Sequence, residues 1–302
     1  MDYLKLFFNA FFLLFWVRFW SASKSEFHFN PFLSGTVRLT DSVLSFLRPV
    51  LALPEQAAAF VVMLFITLFK TVLFHRLGVV WGIRLGTYFQ FVPDDALSGA
   101  VAATLLFSFL HAIVFILRLW SVYLLVKWIT PPFRVTRGIE AIGFFARPFS
   151  WLPTIAQPFA LFALHGLFAF ALTRLGSLNL IPQPMDAAQP VPTSPFLSGP
   201  LFFQLLKTGW LGALSFADGL MFMTRGLFAL IIGNLLASIL QARGLMLICS
   251  EGVELLLGRF AKRGIGGMGF DFTPLIFFFV VDLLYNSICQ GLYKLIQSPF
   301  FN

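Results

Sequence analysis

Four ionisable side chains within long apolar stretches of the sequence are candidates for chemistry, because a charge there is costly unless another group compensates it. They are Lys70, His111, Arg118 and Asp282. His111 and Arg118 are seven residues apart, so they share one face of a predicted helix. A pair between Asp282 and Lys70 or Arg118 would hold two hairpins together, or it would form one step of a proton or ion path.

A second arrangement with a chemical use is the pair His111 and His165, which both fall near the middle of predicted helices. Histidines on facing helices can ligate haem. The alternative is that each histidine makes an ordinary polar contact within the bundle, which needs no cofactor. The sequence has no Walker phosphate loop, no HExxH, no GxSxG and no CxxCH motif. We therefore predict no cofactor, no metal site and no enzymatic activity.

Three basic residues precede a glycine-rich segment near the C-terminus. Arg259, Lys262 and Arg263 come shortly before Gly266 and Gly267. Glycines can adopt positive φ angles and expose backbone amides, so this segment could contact a phosphate or a lipid headgroup. The alternative is a flexible turn whose charges keep the loop in the cytoplasm. Basic clusters beside membrane helices usually have that second role, which favours it here.

The composition identifies the surroundings of these groups. Of the 302 residues, 59% are apolar and 11% are charged, which is too few charges to cover an ordinary water-exposed surface. A membrane-spanning helix needs about 20 mostly apolar residues. The sequence therefore predicts an all-α membrane protein with about six transmembrane helices. The predicted spans are residues 3–20, 57–77, 100–129, 155–175, 220–247 and 272–296.

One pattern recurs three times: an apolar stretch, a basic amphipathic segment, a corner rich in proline or glycine, and a second apolar stretch. In residues 33–53, polar side chains recur every three or four positions opposite an apolar face, as in a helix at the membrane surface. This segment is predicted to end at Arg48-Pro49, and another proline follows five positions later. Arg147-Pro148 begins the same spacing in the second copy. We predict three hairpin repeats, each joined by an interfacial amphipathic helix.

The repeats divide the chain into four segments. Residues 1–78 form the first hairpin and residues 97–176 a second, diverged hairpin. Residues 177–200 are rich in proline and are predicted to be an external linker. Residues 201–302 contain the third hairpin, preceded by an apolar run at residues 201–214. That run is short for a span, so we expect an interfacial helix there.

Two of the repeats resemble the YggT family of integral membrane proteins. In the third copy, Gly266-Gly267 and the segment after it are similar to the family's Gly-Gly-x-Asp-x-Ser-Pro signature, with two extra residues before the aspartate and threonine in place of serine. In the first copy, an Asn-Pro pair, an amphipathic helix and an Arg-Pro corner are similar to those of the family. The second copy matches weakly. The positions that carry the resemblance are Asn30, Pro31, Arg48, Pro49, Asp271, Thr273 and Pro274.

The resemblance implies a polytopic helical protein of a bacterial inner, or cytoplasmic, membrane. Roles suggested for the family are in membrane-protein biogenesis, cytochrome assembly in plastids and envelope or division-linked processes. Two of the matching residues also suit the start of a helix. Thr273 suits the N-cap of the last span, and Pro274 suits its first turn.

Lysine and arginine are concentrated in the loops inside the three repeats, which predicts that those loops are cytoplasmic and that both termini lie outside. A cleavable signal peptide is the alternative for residues 1–20, but Arg18 interrupts the end of that apolar run. The net charge of +8 suits a surface of anionic lipids. The sequence has no separate basic domain of the kind that would indicate nucleic-acid binding.

Together these features predict a non-enzymatic scaffold or assembly factor in membrane or envelope biogenesis. Its expected partners are anionic membrane lipids and other membrane proteins. The alternative is a small transporter or channel that uses the intramembrane polar residues as its path.

Overall fold

The structure is a computed structural model that describes residues 2–21, 31–77, 82–92, 101–130, 137–182, 184–186, 189–190, 194–197, 199–262 and 272–296. This part of the chain is predominantly helical. Its α-helices are α1 (Asp2–Phe19), α2 (Pro31–Leu51), α3 (Glu55–Arg76), α4 (Val101–Ile129), α5 (Arg137–Phe145), α6 (Ala156–Ser177), α7 (Ser194–Leu197), α8 (Leu201–Ile239), α9 (Arg243–Leu257) and α10 (Thr273–Ile296). Short 3-10 helices cover Phe149–Trp151 and Gly258–Lys262.

Five of the described helices are long and apolar enough to cross a membrane: α3, α4, α6, α8 and α10. The prediction of an all-α membrane protein is thus confirmed, and four of these spans lie within two residues of their predicted limits. Helix α1 differs from the prediction, because its apolar part, Phe7–Phe19, is shorter than a span. The first turns of α1 carry charged residues, including Lys5.

Helix α8 corrects the prediction for the fifth span. The expected interfacial helix at residues 201–214 and the expected span at residues 220–247 are replaced by one helix of 39 residues, Leu201–Ile239. At 1.5 Å per residue this helix is about 58 Å long, well beyond the roughly 30 Å of a hydrocarbon core. It ends before Gln241, whose φ of +52° turns the chain into α9.

A glycine just before the expected break allows α8 to pack closely on α6. Gly212 packs so closely on α6 that a Cβ atom there would lie 2.6 Å from the Cα atom of Gly166. Close backbone approach of this kind is a common way for membrane helices to associate. Gly212 therefore serves helix packing and does not interrupt the helix.

The sequence analysis did not predict a four-stranded antiparallel sheet, which has the order β1-β2-β3-β4. Strands β1 (Ile83–Leu85) and β2 (Phe89–Phe91) pair as a hairpin, and β2 pairs with β3 (Pro184–Asp186). Strand β4 (Gln189–Pro190) completes the sheet. The segment predicted as a linker, residues 177–200, thus contributes β3 and β4, and β3 pairs with a strand from the segment between α3 and α4.

Helix α8 is the centre of the bundle, since it packs against α4, α6, α9 and α10. The pairs α1 with α3 and α8 with α10 pack closely, as expected for hairpins. Helix α6, by contrast, packs far more extensively on α8 than on α4, its expected hairpin partner. The two helices of the second predicted repeat therefore do not form a closely packed hairpin. Its second helix, α6, packs instead on α8, which belongs to the third predicted repeat.

The three amphipathic helices lie at one end of the bundle, which we call the surface-helix end. Helix α5 contacts both α2 and α9, so the three form a continuous layer, the α2-α5-α9 layer. A small apolar cluster, made of Val17, Leu33, Val37 and Ala141, fixes α2 and α5 to α1. Helix α2 runs through Pro49 and ends at Leu51, three residues later than predicted, where Ala52 takes a φ of +51°.

Candidate functional site

Asp218, in α8, is a buried polar side chain with three hydrogen-bond partners, and it was absent from the sequence-based candidates. Its side chain is 4% exposed. It accepts hydrogen bonds from Arg118 Nη2 at 2.5 Å, from the Tyr285 hydroxyl at 3.0 Å and from the backbone N–H of Gly86 at 3.1 Å. One carboxylate therefore joins α4, α8, α10 and the turn between β1 and β2.

The β1–β2 turn is held deep between the helices. Gly86 has a φ of +66°, and a Cβ atom there would lie 3.0 Å from Leu214 Cδ2 and 3.4 Å from Cys289 Sγ, so the position requires glycine. Arg118 Nη2 also donates to the carbonyl of Arg84 at 2.6 Å. Backbone that is neither helical nor part of a closed sheet is tolerated at such depth only when protein groups satisfy it. Arg118 and Asp218 provide that satisfaction.

Lys70 and His111 form a second polar group where α1, α3 and α4 meet. Lys70 Nζ lies 3.2 Å from His111 Nδ1 and 3.4 Å from Asn9 Oδ1. One turn away, the hydroxyls of Thr71 and Ser108 are hydrogen-bonded to each other. These contacts join α3 to α4, and Lys70 also borders a small pocket.

The two histidines of the haem hypothesis have different partners. His165 is fully buried, and its two ring nitrogens contact the hydroxyls of Ser121 at 3.0 Å and Ser215 at 2.9 Å. His165 thereby joins α6 to α4 and α8, whereas His111 faces Lys70. Among the described residues, no group of three or more His, Cys, Asp or Glu side chains is arranged to hold a metal ion.

In the described contacts, Asp282 pairs with neither Lys70 nor Arg118. The buried face of α10 carries Tyr285 and Cys289, while Asp282 lies toward the outer face and accepts a hydrogen bond from Asn286 at 3.2 Å. The partner of Arg118 is Asp218 instead. The available signal was an acid between the predicted interfacial segment, residues 201–214, and the predicted span, residues 220–247.

Several polar side chains along α4 contact neighbouring helices. Ser108 and His111 contact α3, Arg118 contacts α8, and Ser121 contacts α6. Near the end of α4, Lys127 Nζ donates to Thr154 and Gln157 at 3.0 and 3.1 Å. The polar side chains of α4 thus form a series of contacts that joins it to its neighbours along its length.

Arg18 was counted as a loop charge, but the structure buries it. Its side chain is 2% exposed, and Nη2 donates to Asp41 of α2 at 2.9 Å and contacts Glu55 at the start of α3. This cation therefore fixes the surface helix to both helices of the first hairpin. The sequence signal was Asp41, an acid on the polar face of α2.

The first two repeats have a matching cation at the surface-helix end. In the first, Arg18 contacts Glu55, which directly follows Pro54. In the second, Lys127 contacts Thr154, which directly follows Pro153. In both cases a basic residue near the end of one helix meets the residue after the second proline of the corner.

The glycine-rich candidate site lies largely outside the described residues. Arg263, Gly266, Gly267 and Asp271 fall there, as does Asn30 of the first copy. Arg259 is exposed in the 3-10 helix that also contains Lys262, and Pro31, Arg48 and Pro49 lie within α2. Helix α10 begins at Thr273, with Pro274 in its first turn.

Five apolar helices and a buried polar interior define an integral membrane protein of the helical class. No family model, no curated protein and no solved structure matches this chain. The resemblance to the YggT family remains a prediction from the sequence.

Proposed function

We propose that this protein is a non-enzymatic scaffold or assembly factor of YggT type in a bacterial inner membrane. The observation that carries the proposal is the α2-α5-α9 layer, in which the three amphipathic helices lie at the same end of the bundle and α5 contacts both α2 and α9. A joined layer of this kind offers one extended surface for lipid headgroups or for a partner protein.

Buried contacts give the layer a fixed position. Arg18 ties α2 to α1 and α3 through Asp41 and Glu55. The Trp16 indole donates to the carbonyl of Arg147 at 3.0 Å, and the Arg147 guanidinium lies 3.9 Å from the centre of the Phe144 ring. A surface held by buried contacts loses less conformational freedom when it binds, which favours association.

The outer face of the layer combines apolar and basic side chains. On α2, Leu39 is 63% exposed and Phe46 is 71% exposed. Arg38 on α2 and Arg243 on α9 are also exposed. Exposed apolar groups beside basic ones suit the boundary between acyl chains and anionic headgroups, and they suit contacts with another membrane protein.

The equivalent contacts of Arg18 and Lys127 support the proposed repeat and, through it, the relation to YggT proteins. A repeated cation at the same place in two hairpins is expected if both copies descend from one module. The weaker packing of α4 on α6 accounts for the divergence of the second copy.

Site-specific photo-crosslinking in living cells tests the proposal. A crosslinking amino acid is placed at Phe46 on α2, and in a second variant at Phe159 on α6, which is 74% exposed outside the layer. We expect discrete protein adducts from Phe46 and only lipid adducts from Phe159. Equal protein adducts at both positions, or none at Phe46, would argue against a docking role for the layer.

A small transporter is the second candidate, and the polar series along α4 favours it. Protons can pass along aligned polar groups, and Ser108, His111, Arg118, Ser121 and Lys127 lie on one helix. The scaffold is preferred because each of these residues is engaged with another helix, which is the pattern of packing contacts.

A further inference from the structure

We propose that the outer face of α10 binds the same face of a second copy of this chain within the membrane, a role that does not depend on the scaffold proposal. Three exposed polar side chains lie on that face: Asn286, Ser287 and Gln290. They occupy the second half of α10, a helix that is long and apolar enough to cross a membrane. We call this surface the polar face of α10.

The outer surfaces of three other apolar helices differ from this face. Away from the end turns, the exposed side chains of α3, α4 and α6 are apolar, and they include Phe65 on α3, Ile113 on α4 and Phe162 on α6. Such side chains suit contact with lipid tails. An amide that faces lipid tails lacks hydrogen-bond partners, which is costly. The polar face of α10 is therefore better suited to contact with protein.

The amides of this face have hydrogen-bonding groups to offer to a partner. Asn286 Nδ2 donates to Asp282 Oδ2 at 3.2 Å, one turn earlier on the same helix. A side-chain amide has two N–H donors and a carbonyl acceptor, so this bond leaves one donor and the acceptor of Asn286. In the part of the chain that the structure describes, the Gln290 amide makes no hydrogen bond. Both side chains can thus donate and accept across an interface.

This combination of donors and acceptors is self-complementary, which identifies a second copy as the partner. Two copies inserted in the same orientation have parallel α10 helices, and a two-fold axis normal to the membrane places each residue near its counterpart. An amide that meets an identical amide can both donate to it and accept from it. Asp282 is half-buried at the edge of the face, so the two carboxyl groups do not directly oppose each other.

The spacing of the exposed residues suits a pair of parallel helices. Leu283, Ser287 and Gln290 are separated by four and three residues, as along the contact seam of a left-handed helix pair. Ser287 is small, and a Cβ atom at Gly291 would meet no other atom within 4 Å. Small residues four positions apart let membrane helices approach closely, which brings polar side chains within hydrogen-bonding reach. Lys294 lies in the last turn, where its long side chain can extend to the membrane surface.

Disulfide crosslinking in membranes of cells that express the full chain tests the proposal. In a background in which Cys249 and Cys289 are replaced, Ser287→Cys should form a disulfide-linked dimer with a membrane-permeable oxidant. The control Phe162→Cys, an exposed position on α6, should remain monomeric. Equal crosslinking at the two positions would indicate random collision and would overturn the proposal. A Ser287→Cys adduct with a different protein would also overturn it, because another partner would then cover this face.

Sedimentation equilibrium of the purified full chain in detergent micelles is the second measurement, and it needs no cysteine replacement. We expect a dimer of the wild type. The double variant Asn286→Leu with Gln290→Leu changes exposed side chains only, so it should fold, and its dimer should be weaker by about tenfold. The control Phe162→Leu should dimerise as the wild type does. A monomeric wild type, or an unchanged dimer in the double variant, would overturn the proposal.

Discussion

Arg118 and Asp218 are 100 residues apart in the sequence, and their Nη2 and Oδ2 atoms lie 2.5 Å apart in the structure. The contact joins the two longest helices of the bundle at a position near the middle of each. The same carboxylate accepts from the β1–β2 turn, so the ion pair also holds a piece of non-helical backbone between the helices. The interior of the protein is thus organised around one buried charge pair.

This arrangement predicts that neither charge can be removed alone. Breaking a buried ion pair by removing one partner costs about 3–5 kcal/mol, because the other charge is left buried. Asp218→Asn and Arg118→Met should each destabilise the protein on this scale, and the double variant should lose much less than their sum. Denaturant unfolding in detergent micelles measures all three. Asp282→Asn, which changes the outward-facing acid of α10, is the control and should have little effect.

The close contact between α6 and α8 gives a second prediction. Gly212→Ala places a Cβ atom 2.6 Å from Gly166 Cα and should destabilise the protein by about 1–3 kcal/mol. Gly209→Ala lies one turn earlier on α8 and has open space around its Cβ position. Thermal unfolding should separate the two variants, and equal melting temperatures would show that the helices are not in contact at Gly212.

The sequence predicted the spans well because hydropathy is a local property. The predicted residues 272–296 and 100–129, for example, agree with α10 and α4 to within one residue. The predicted end of α2 at Arg48-Pro49 was less accurate, since the helix continues to Leu51. Local signals place element ends only to within a few residues.

The contacts between elements were harder to predict because they depend on residues far apart in the chain. Strands β1 to β4 have only two or three residues each, which is too short to show the alternation of a strand. Asp218 was missed because it lies between the predicted interfacial helix and the predicted fifth span, which the structure joins into one helix. The intramembrane Arg118 did indicate that a buried acid was required, but it did not identify which one.

The surface helix α2 provides a third prediction. Leu44 is 2% exposed and packs in the main apolar core, whereas the adjacent Ser45 is exposed. Leu44→Asp should cost at least the roughly 1.5–3 kcal/mol of burying a leucine, with a further cost for the buried charge. Ser45→Asp should be tolerated. Unfolding experiments on the two variants compare them, and similar losses at both positions would place the polar face of α2 inside the protein as well.

The orientation in the membrane is a fourth prediction. We expect the α2-α5-α9 layer to be cytoplasmic, because basic residues are concentrated at that end. In a background in which the two buried cysteines are replaced, Ser42→Cys on α2 and Glu251→Cys on α9 should be protected from an impermeant thiol reagent in intact cells. Ser177→Cys, an exposed position at the opposite end of α6, should react. The reverse labelling pattern would invert the orientation.

The central claim is that the polar residues within the bundle join helices and do not form a conduction path. Proton and ion flux through proteoliposomes containing the purified wild-type protein tests this claim most directly, with Asp218→Asn as the matched variant. The account predicts no flux above that of protein-free liposomes for either protein. Flux through the wild type that disappears in a folded Asp218→Asn variant would contradict it and would favour the transporter.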